Sequence, residues 1–172
     1  MILIQEDIMK ILRITAQGLP LFKDVLDLKF YAQQRVADKD KDHLYHLFSN
    51  VYLNPTSSFI GINASGKTSI LKVLRFVLGM ISNEPINHLS TKQILGNANK
   101  IVFNTYFFCE ERNEIGRLET VITSKETKTE GIIYQIVSEK LWTKGVEEVS
   151  TRKAMLVFND KQLVLVRDGK ND

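Results

Sequence analysis

The sequence predicts an α/β fold in which a glycine-rich loop and a helix precede an antiparallel β-subdomain. The apolar pair Phe59-Ile60 predicts a short strand, and the glycine-rich segment 61–68 follows it directly. Apolar residues between positions 70 and 81 then recur at the spacing of one helical face. From residue 100 onward the apolar residues recur at every second position, which is typical of β-strands.

Size and composition are those of an ordinary globular protein. The chain has 172 residues, 44% of them hydrophobic and 25% charged, which suits one domain with a core. A net charge of +3 is too weak to indicate nucleic-acid binding, although it does not exclude it. No apolar run is long enough for a transmembrane helix, and the single cysteine, Cys109, excludes an internal disulfide. We therefore expect a cytoplasmic protein without a membrane partner.

The first third of the chain predicts an antiparallel pair of strands over residues 9–16 and 23–31, joined by a turn at 18–20. Residues 1–8 form an N-terminal extension in this interpretation. The mixed-charge stretch 32–43 predicts a solvated loop. The apolar and aromatic segment 44–53 favours a short helix, which Asn54-Pro55 would end.

The last part of the chain predicts a β-meander. Residues 83–100 contain turn residues and show little periodicity, so we expect no regular element there. Beyond them, alternating apolar segments are separated by charged turns. The predicted strands cover residues 100–110, 117–124, 131–139 and 163–167.

The most specific motif is the octapeptide at positions 61–68, GINASGKT, which matches the phosphate-loop pattern G-x-x-x-x-G-K-[ST] in full. Its glycines allow the backbone to turn successive N–H groups towards a phosphate. The helix that follows adds free N–H groups and the positive end of its dipole. At these positions the Lys67 ammonium would reach the β- and γ-phosphates, and the Thr68 hydroxyl would bind Mg²⁺.

The form G-x-N-x-S-G-K-T resembles the loop of the ABC-class ATPases, which include SMC-like, RecF-like and OLD-type proteins. The element order is also similar to theirs, because an N-terminal antiparallel pair with an aromatic-basic dipeptide, here Phe22-Lys23, precedes the loop. The resemblance is strongest to bacterial AAA-family ATPases of this ABC-like branch. It implies a P-loop NTPase half-domain over residues 9–99 and an antiparallel β-subdomain over residues 100–172.

The resemblance implies Mg·ATP as the bound nucleotide. It also implies that a second copy of the chain, or a partner chain, supplies a glycine-pair signature motif. Lys67 is the expected catalytic residue and Thr68 the expected metal ligand. The expected nucleotide-binding residues are Gly61, Asn63, Ser65, Gly66, Lys67, Thr68 and Ser69.

ATP hydrolysis in this class also needs a Walker B strand, in which apolar residues are followed by Asp and Glu. The segments MLVF (155–158) and LVLV (163–166) come nearest, but their acidic residues are out of place. LSTKQ (89–93) lacks the glycines of a signature motif. We therefore expect the N-terminal part of a larger ATPase, which binds Mg·ATP and hydrolyses it poorly alone.

Three alternatives to an ATPase have to be weighed. A binding-only nucleotide sensor or interaction module would also lack a Walker B strand. A GTPase would need an N-K-x-D motif, which is absent from the sequence. A small-molecule kinase would continue as alternating strands and helices, where this chain instead predicts a β-meander.

Overall fold

The computed structural model describes residues 8–62, 66–87, 89–129 and 131–169. It shows a mixed α/β fold dominated by a six-stranded antiparallel sheet in the order β2-β1-β5-β6-β7-β8. The strands are β1 (Met9–Gln17), β2 (Leu26–Lys29), β3 (Tyr45–Phe48), β4 (Val51–Leu53), β5 (Ile101–Cys109), β6 (Glu114–Thr127), β7 (Gly131–Gly145) and β8 (Leu163–Asp168). The α-helices are α1 (Lys67–Ile81), α2 (Leu89–Leu95) and α3 (Arg152–Met155).

The register confirms the predicted N-terminal pair and the predicted meander. Strand β1 pairs with β2 on one side and with β5 on the other, so that Arg13 lies between Lys29 and Tyr106. Strands β5 to β8 then follow one another in sequence order. Strand β1 thus joins the predicted ranges 9–99 and 100–172 in one sheet.

The two faces of the sheet carry separate hydrophobic clusters. Helix α1 covers one face through Val73 and Val77, which pack with Ile14, Phe103 and other buried residues of the strands. The β3–β4 hairpin and residues 146–158 cover part of the other face, where Phe48 and Met155 pack against Phe108, Tyr106 and Ile115. Since side chains alternate along β5, Phe103 and Phe108 point to opposite faces.

The predicted helix over residues 44–53 is wrong. These residues form the β3–β4 hairpin, whose turn places Ser49 in the left-handed region at φ 47°. A Ser-Asn turn flanked by aromatic and β-branched residues favours strands over a helix. The segment 44–53 favours a helix at the level of sequence because both of its halves are rich in apolar residues.

The predicted strand at Phe59-Ile60 is also wrong, since these residues have no regular secondary structure. Ile60 is 95% exposed. A strand needs a neighbour to satisfy its backbone groups, and within the described ranges none pairs with this segment. The segment 83–100, in which no regular element was expected, contains the short helix α2.

Candidate phosphate-binding loop

Helix α1 begins directly after Gly66, which adopts a left-handed conformation with φ 88° and ψ 7°. This conformation favours glycine because it strains residues with a Cβ. The first backbone hydrogen bond of the helix runs from the Ile70 amide to the Gly66 carbonyl, at 3.0 Å. The amides of residues 67–69 therefore precede the first helical hydrogen bond, and they have no intrahelical acceptor.

The positive end of the helix dipole has no compensating charge in the helix itself. The N-cap residue Gly66 has no side chain that could cap α1, and the first turn contains no acidic residue. Helix N-termini are ordinarily stabilised by an oxygen acceptor or a negative charge. The start of α1 therefore has the free donors and the electrostatic field that suit a bound anion.

The Lys67 side chain folds back over the loop. Its Nζ donates to the carbonyl oxygens of Gly61 at 2.6 Å and of Ile62 at 2.7 Å. An ammonium has three N–H donors, so one remains for another acceptor. No carboxylate in the described part of the chain forms an ion pair with it. Lys67 thus bridges the start of α1 and residues 61–62, and its charge has no acidic partner among the described residues.

The structure describes five of the seven predicted nucleotide-binding residues. The Lys67 side chain, directly after Gly66, contacts the Gly61 carbonyl, while Thr68 is exposed and Ser69 half-buried in the first turn of α1. Asn63 and Ser65 lie outside the described residues. The structure therefore places the lysine and both ends of the loop.

Apolar side chains beside the loop and along α1 are exposed to solvent. Ile60 and Ile62, on either side of Gly61, are 95% and 84% exposed. Leu71 and Leu78 are exposed on α1 and lie on one helical face, because they are seven residues apart. Each of these side chains is available for contact with another segment or subunit.

Neither Walker B candidate lies in a strand next to the loop. The prediction that MLVF (155–158) could be a strand is wrong, because Met155 ends α3 and residues 156–159 form a loop. The segment 163–166 does form a strand, β8, but it lies at the sheet edge, and β7 is its one partner among the described strands. Within the described ranges, no three His, Cys, Asp or Glu residues are grouped as metal ligands.

Sequence reasoning missed a second lysine with the same kind of contacts. Lys144 in β7 is only 5% exposed, and its Nζ donates to the carbonyls of Ala154 and Val157, both at 2.6 Å. The ammonium also lies 4.4 Å from the centre of the Phe158 ring. Burial lowers its pKa, an effect that Glu148 partly opposes. The sequence around Lys144 contains no pattern that predicts its contact with the Ala154 and Val157 carbonyls, because a lysine in a strand is usually exposed.

Several single residues outside the loop have structural roles. The Arg13 guanidinium donates to Asp27 at 2.7 Å, and this hydrogen bond raises the pKa of the arginine. Phe103, Tyr106 and Phe108 are buried in the core, and Phe107 beside them is half-buried. Cys109 is buried and forms no disulfide.

No protein-family model, curated protein or solved structure matches this chain. No helix in the described ranges is long and apolar enough to cross a membrane. The function must therefore be inferred from the loop itself.

Proposed function

We propose that the chain binds Mg·ATP through residues 61–69 and belongs to an ABC-like ATPase as its N-terminal part. One observation carries this proposal: the loop that matches the phosphate-binding motif leads into an uncapped helix and holds an unneutralised lysine. Free amides, a helix dipole and an ammonium with a spare donor together favour a polyphosphate. Thr68, exposed in the first turn, supplies the hydroxyl for Mg²⁺.

Hydrolysis requires groups that come from outside the described residues. A phosphoryl-transfer site needs a carboxylate near Mg²⁺ and a group that orients the attacking water. Neither candidate segment provides such a carboxylate beside the loop, as described above. We therefore propose that another chain segment, a second copy or a partner chain completes the site. The exposed apolar side chains near Gly61 and along α1 are consistent with such a covering surface.

The first test is binding. We expect Mg·ATP, added to the ¹⁵N-labelled chain, to shift the backbone amides of residues 66–69 in a saturable manner. Lys67→Ala should abolish the shifts, whereas Lys72→Ala, which removes a lysine from the next turns of α1, should leave them. Equal saturation by the Lys67→Ala chain would place the nucleotide elsewhere.

The second test concerns Mg²⁺. Thr68→Val removes the hydroxyl and keeps the side-chain shape, so we expect its ATP affinity with Mg²⁺ to fall to the wild-type affinity measured with EDTA. Thr68→Ser, which retains a hydroxyl, should restore the gain from Mg²⁺. An unchanged Mg²⁺ dependence in Thr68→Val would remove this residue from the metal site.

A binding-only nucleotide sensor is the second candidate. It is favoured because, among the described residues, neither Walker B candidate brings a carboxylate to the loop. Steady-state phosphate release separates the two functions. We expect little turnover by the chain alone. Turnover that appears when a completing segment or partner is added supports the ATPase, whereas tight ATP binding that never leads to turnover supports the sensor. Robust Lys67-dependent turnover by this chain alone would contradict the need for completion.

A further inference from the structure

A small pocket lies on the face of the sheet opposite α1. Residues 48–51 of the β3–β4 turn and residues 149–152 before α3 enclose about 200 Å³. We call this space the hairpin pocket. Phe48 and Val51 belong to the cluster around Phe108, whereas α1 packs in the other cluster. The hairpin pocket is therefore separate from the phosphate-binding loop.

Arg152 is the only charged residue among those that line the hairpin pocket. One terminal nitrogen of its guanidinium donates to the Ala32 carbonyl at 2.9 Å and also to the Gln34 carbonyl. The Nε atom and the second terminal nitrogen form no hydrogen bond with the described residues. These two groups make up the side edge of the guanidinium, which presents two parallel N–H donors.

The contacts of Arg152 fix its guanidinium before any ligand arrives. A side chain that is already held in place loses less conformational freedom when it binds a ligand. Its free edge matches the spacing of two oxygen atoms on a phosphate or a carboxylate. The arginine is thus a preorganised donor pair, in contrast to a flexible surface lysine.

The other polar residues of the hairpin pocket can donate hydrogen bonds to an anion, and none of them carries a negative charge that would repel it. Ser49, Asn50, Ser150 and Thr151 provide hydroxyl and amide groups, and none of the lining residues is acidic. The Thr151 hydroxyl oxygen accepts from the Ala154 amide, which leaves its O–H free to donate. At about 200 Å³ the space is below the usual range of roughly 300–1,000 Å³ for drug-sized ligands, so a single small anion suits it better than a nucleotide.

We propose that the hairpin pocket binds a tetrahedral oxyanion, either inorganic phosphate or the phosphate group of a small metabolite. The free edge of Arg152 holds two of its oxygens, and the hydroxyl groups of the pocket hold the others. The site is independent of the proposed nucleotide site, because it uses other residues on the other face of the sheet.

Inorganic phosphate is the probe for this site, and the Lys67→Ala chain removes competition from the loop. We expect saturable shifts of the amides of residues 48–51 and 149–152, with a dissociation constant on the order of 1 mM. Glycerol phosphate should shift the same amides if a metabolite phosphate is the ligand, and weaker shifts than those of free phosphate would indicate inorganic phosphate. Acetate, which is not tetrahedral, should bind at least about tenfold more weakly.

Two variants test the role of the guanidinium. Arg152→Lys keeps the charge but has no two-donor edge, so phosphate affinity should fall at least about tenfold. Asn50→Asp keeps a residue suited to a turn, leaves Arg152 untouched and adds a negative charge, so it should also weaken binding. The control Asn97→Asp introduces the same charge in a turn after α2 and should have no effect.

The outcomes are decisive even if Arg152→Lys fails to fold, because Asn50→Asp then carries the test. Loss of binding in Asn50→Asp with retention in Asn97→Asp supports the site. The absence of saturable shifts up to about 20 mM phosphate would overturn the proposal. Equal affinity in Asn50→Asp, or equal shifts with chloride, would overturn it as well.

Discussion

Two lysines in this protein make nearly the same hydrogen bonds in very different surroundings. Lys67 donates to two carbonyls of the phosphate loop, and Lys144 donates to two carbonyls of the segment that follows β7. Lys144 is buried above the Phe158 ring, whereas Lys67 is half-exposed at the start of an uncapped helix. The contacts alone therefore do not distinguish a structural lysine from one that we propose binds a ligand.

The surroundings explain the difference. Around Lys144 the side-chain stem and the ammonium are enclosed by protein, so the residue holds residues 154–157 against the sheet. Around Lys67 the amides without an intrahelical acceptor and the helix dipole form the site that we propose binds an anion. Replacing each lysine should consequently affect a different property, namely stability for Lys144 and ligand affinity for Lys67.

The largest expected effect is on stability. Lys144→Ala removes the buried stem and leaves the Val157 carbonyl without its lysine donor, so we expect a loss of about 3 kcal/mol in the free energy of unfolding. Lys67→Ala removes the same number of hydrogen bonds from an exposed loop and should change stability by less than about 0.5 kcal/mol. Urea unfolding of both variants measures the two values, and similar losses would show that the surroundings do not separate these lysines.

A smaller effect is expected at two glycines with positive φ. Gly66 at φ 88° and Gly131 at φ 75° both have open space where a Cβ would lie. Alanine at either position should therefore cost about 1 kcal/mol through backbone strain alone. Only Gly66→Ala should also weaken Mg·ATP binding, because it alters the start of α1. Unequal losses of stability, or weaker nucleotide binding in Gly131→Ala, would contradict this assignment.

The smallest effect concerns pH and isolates Lys144. Its folded-state pKa lies below the ordinary value of 10.5 because burial disfavours the charged form. Between the lowered pKa and 10.5 the unfolded chain binds more protons, so the stability contributed by this group rises with pH in that window. Wild type should therefore gain stability relative to Lys144→Met as the pH rises towards 10.5, as measured by urea unfolding. Tyr134, whose pKa burial raises, titrates in both proteins and cancels from the difference. A difference that falls over this range would contradict the direction of the shift.

The sequence predicted the elements in which one physical signal dominates. Alternation identified the strands of the meander, and apolar spacing identified α1 from Ile70 onward. The phosphate-loop motif predicted a helix that starts near Lys67, which is where α1 begins. Apolar periodicity alone cannot locate that start, because the residues of the first turn are polar. Where the helix begins depends instead on the left-handed conformation of Gly66. The hairpin at 45–53 was missed because both strands are apolar on both faces, which resembles a buried helix.

The candidate site was only partly predictable. A complete motif identifies the phosphate loop, because its residue types are set by the local chemistry of phosphate binding. The motif does not reveal that Lys67 folds back onto Gly61, since that contact depends on the loop conformation. Lys144 and Arg152 depend on contacts with distant segments, which no local pattern records. The strand predicted at Phe59-Ile60 was wrong for the same reason. A strand forms only where a neighbouring strand pairs with it, and a local pattern does not show whether that neighbour is present.

The most direct test of the account is the Mg·ATP affinity of three chains, measured by calorimetry at a temperature at which all three are folded. The account predicts that Lys67→Ala loses at least about 100-fold in affinity, or about 2.7 kcal/mol. It predicts that Lys144→Met, despite its lower stability, stays within about twofold of wild type. Wild-type affinity in Lys67→Ala, or an equal loss in both variants, would contradict the claim that this loop is the nucleotide site.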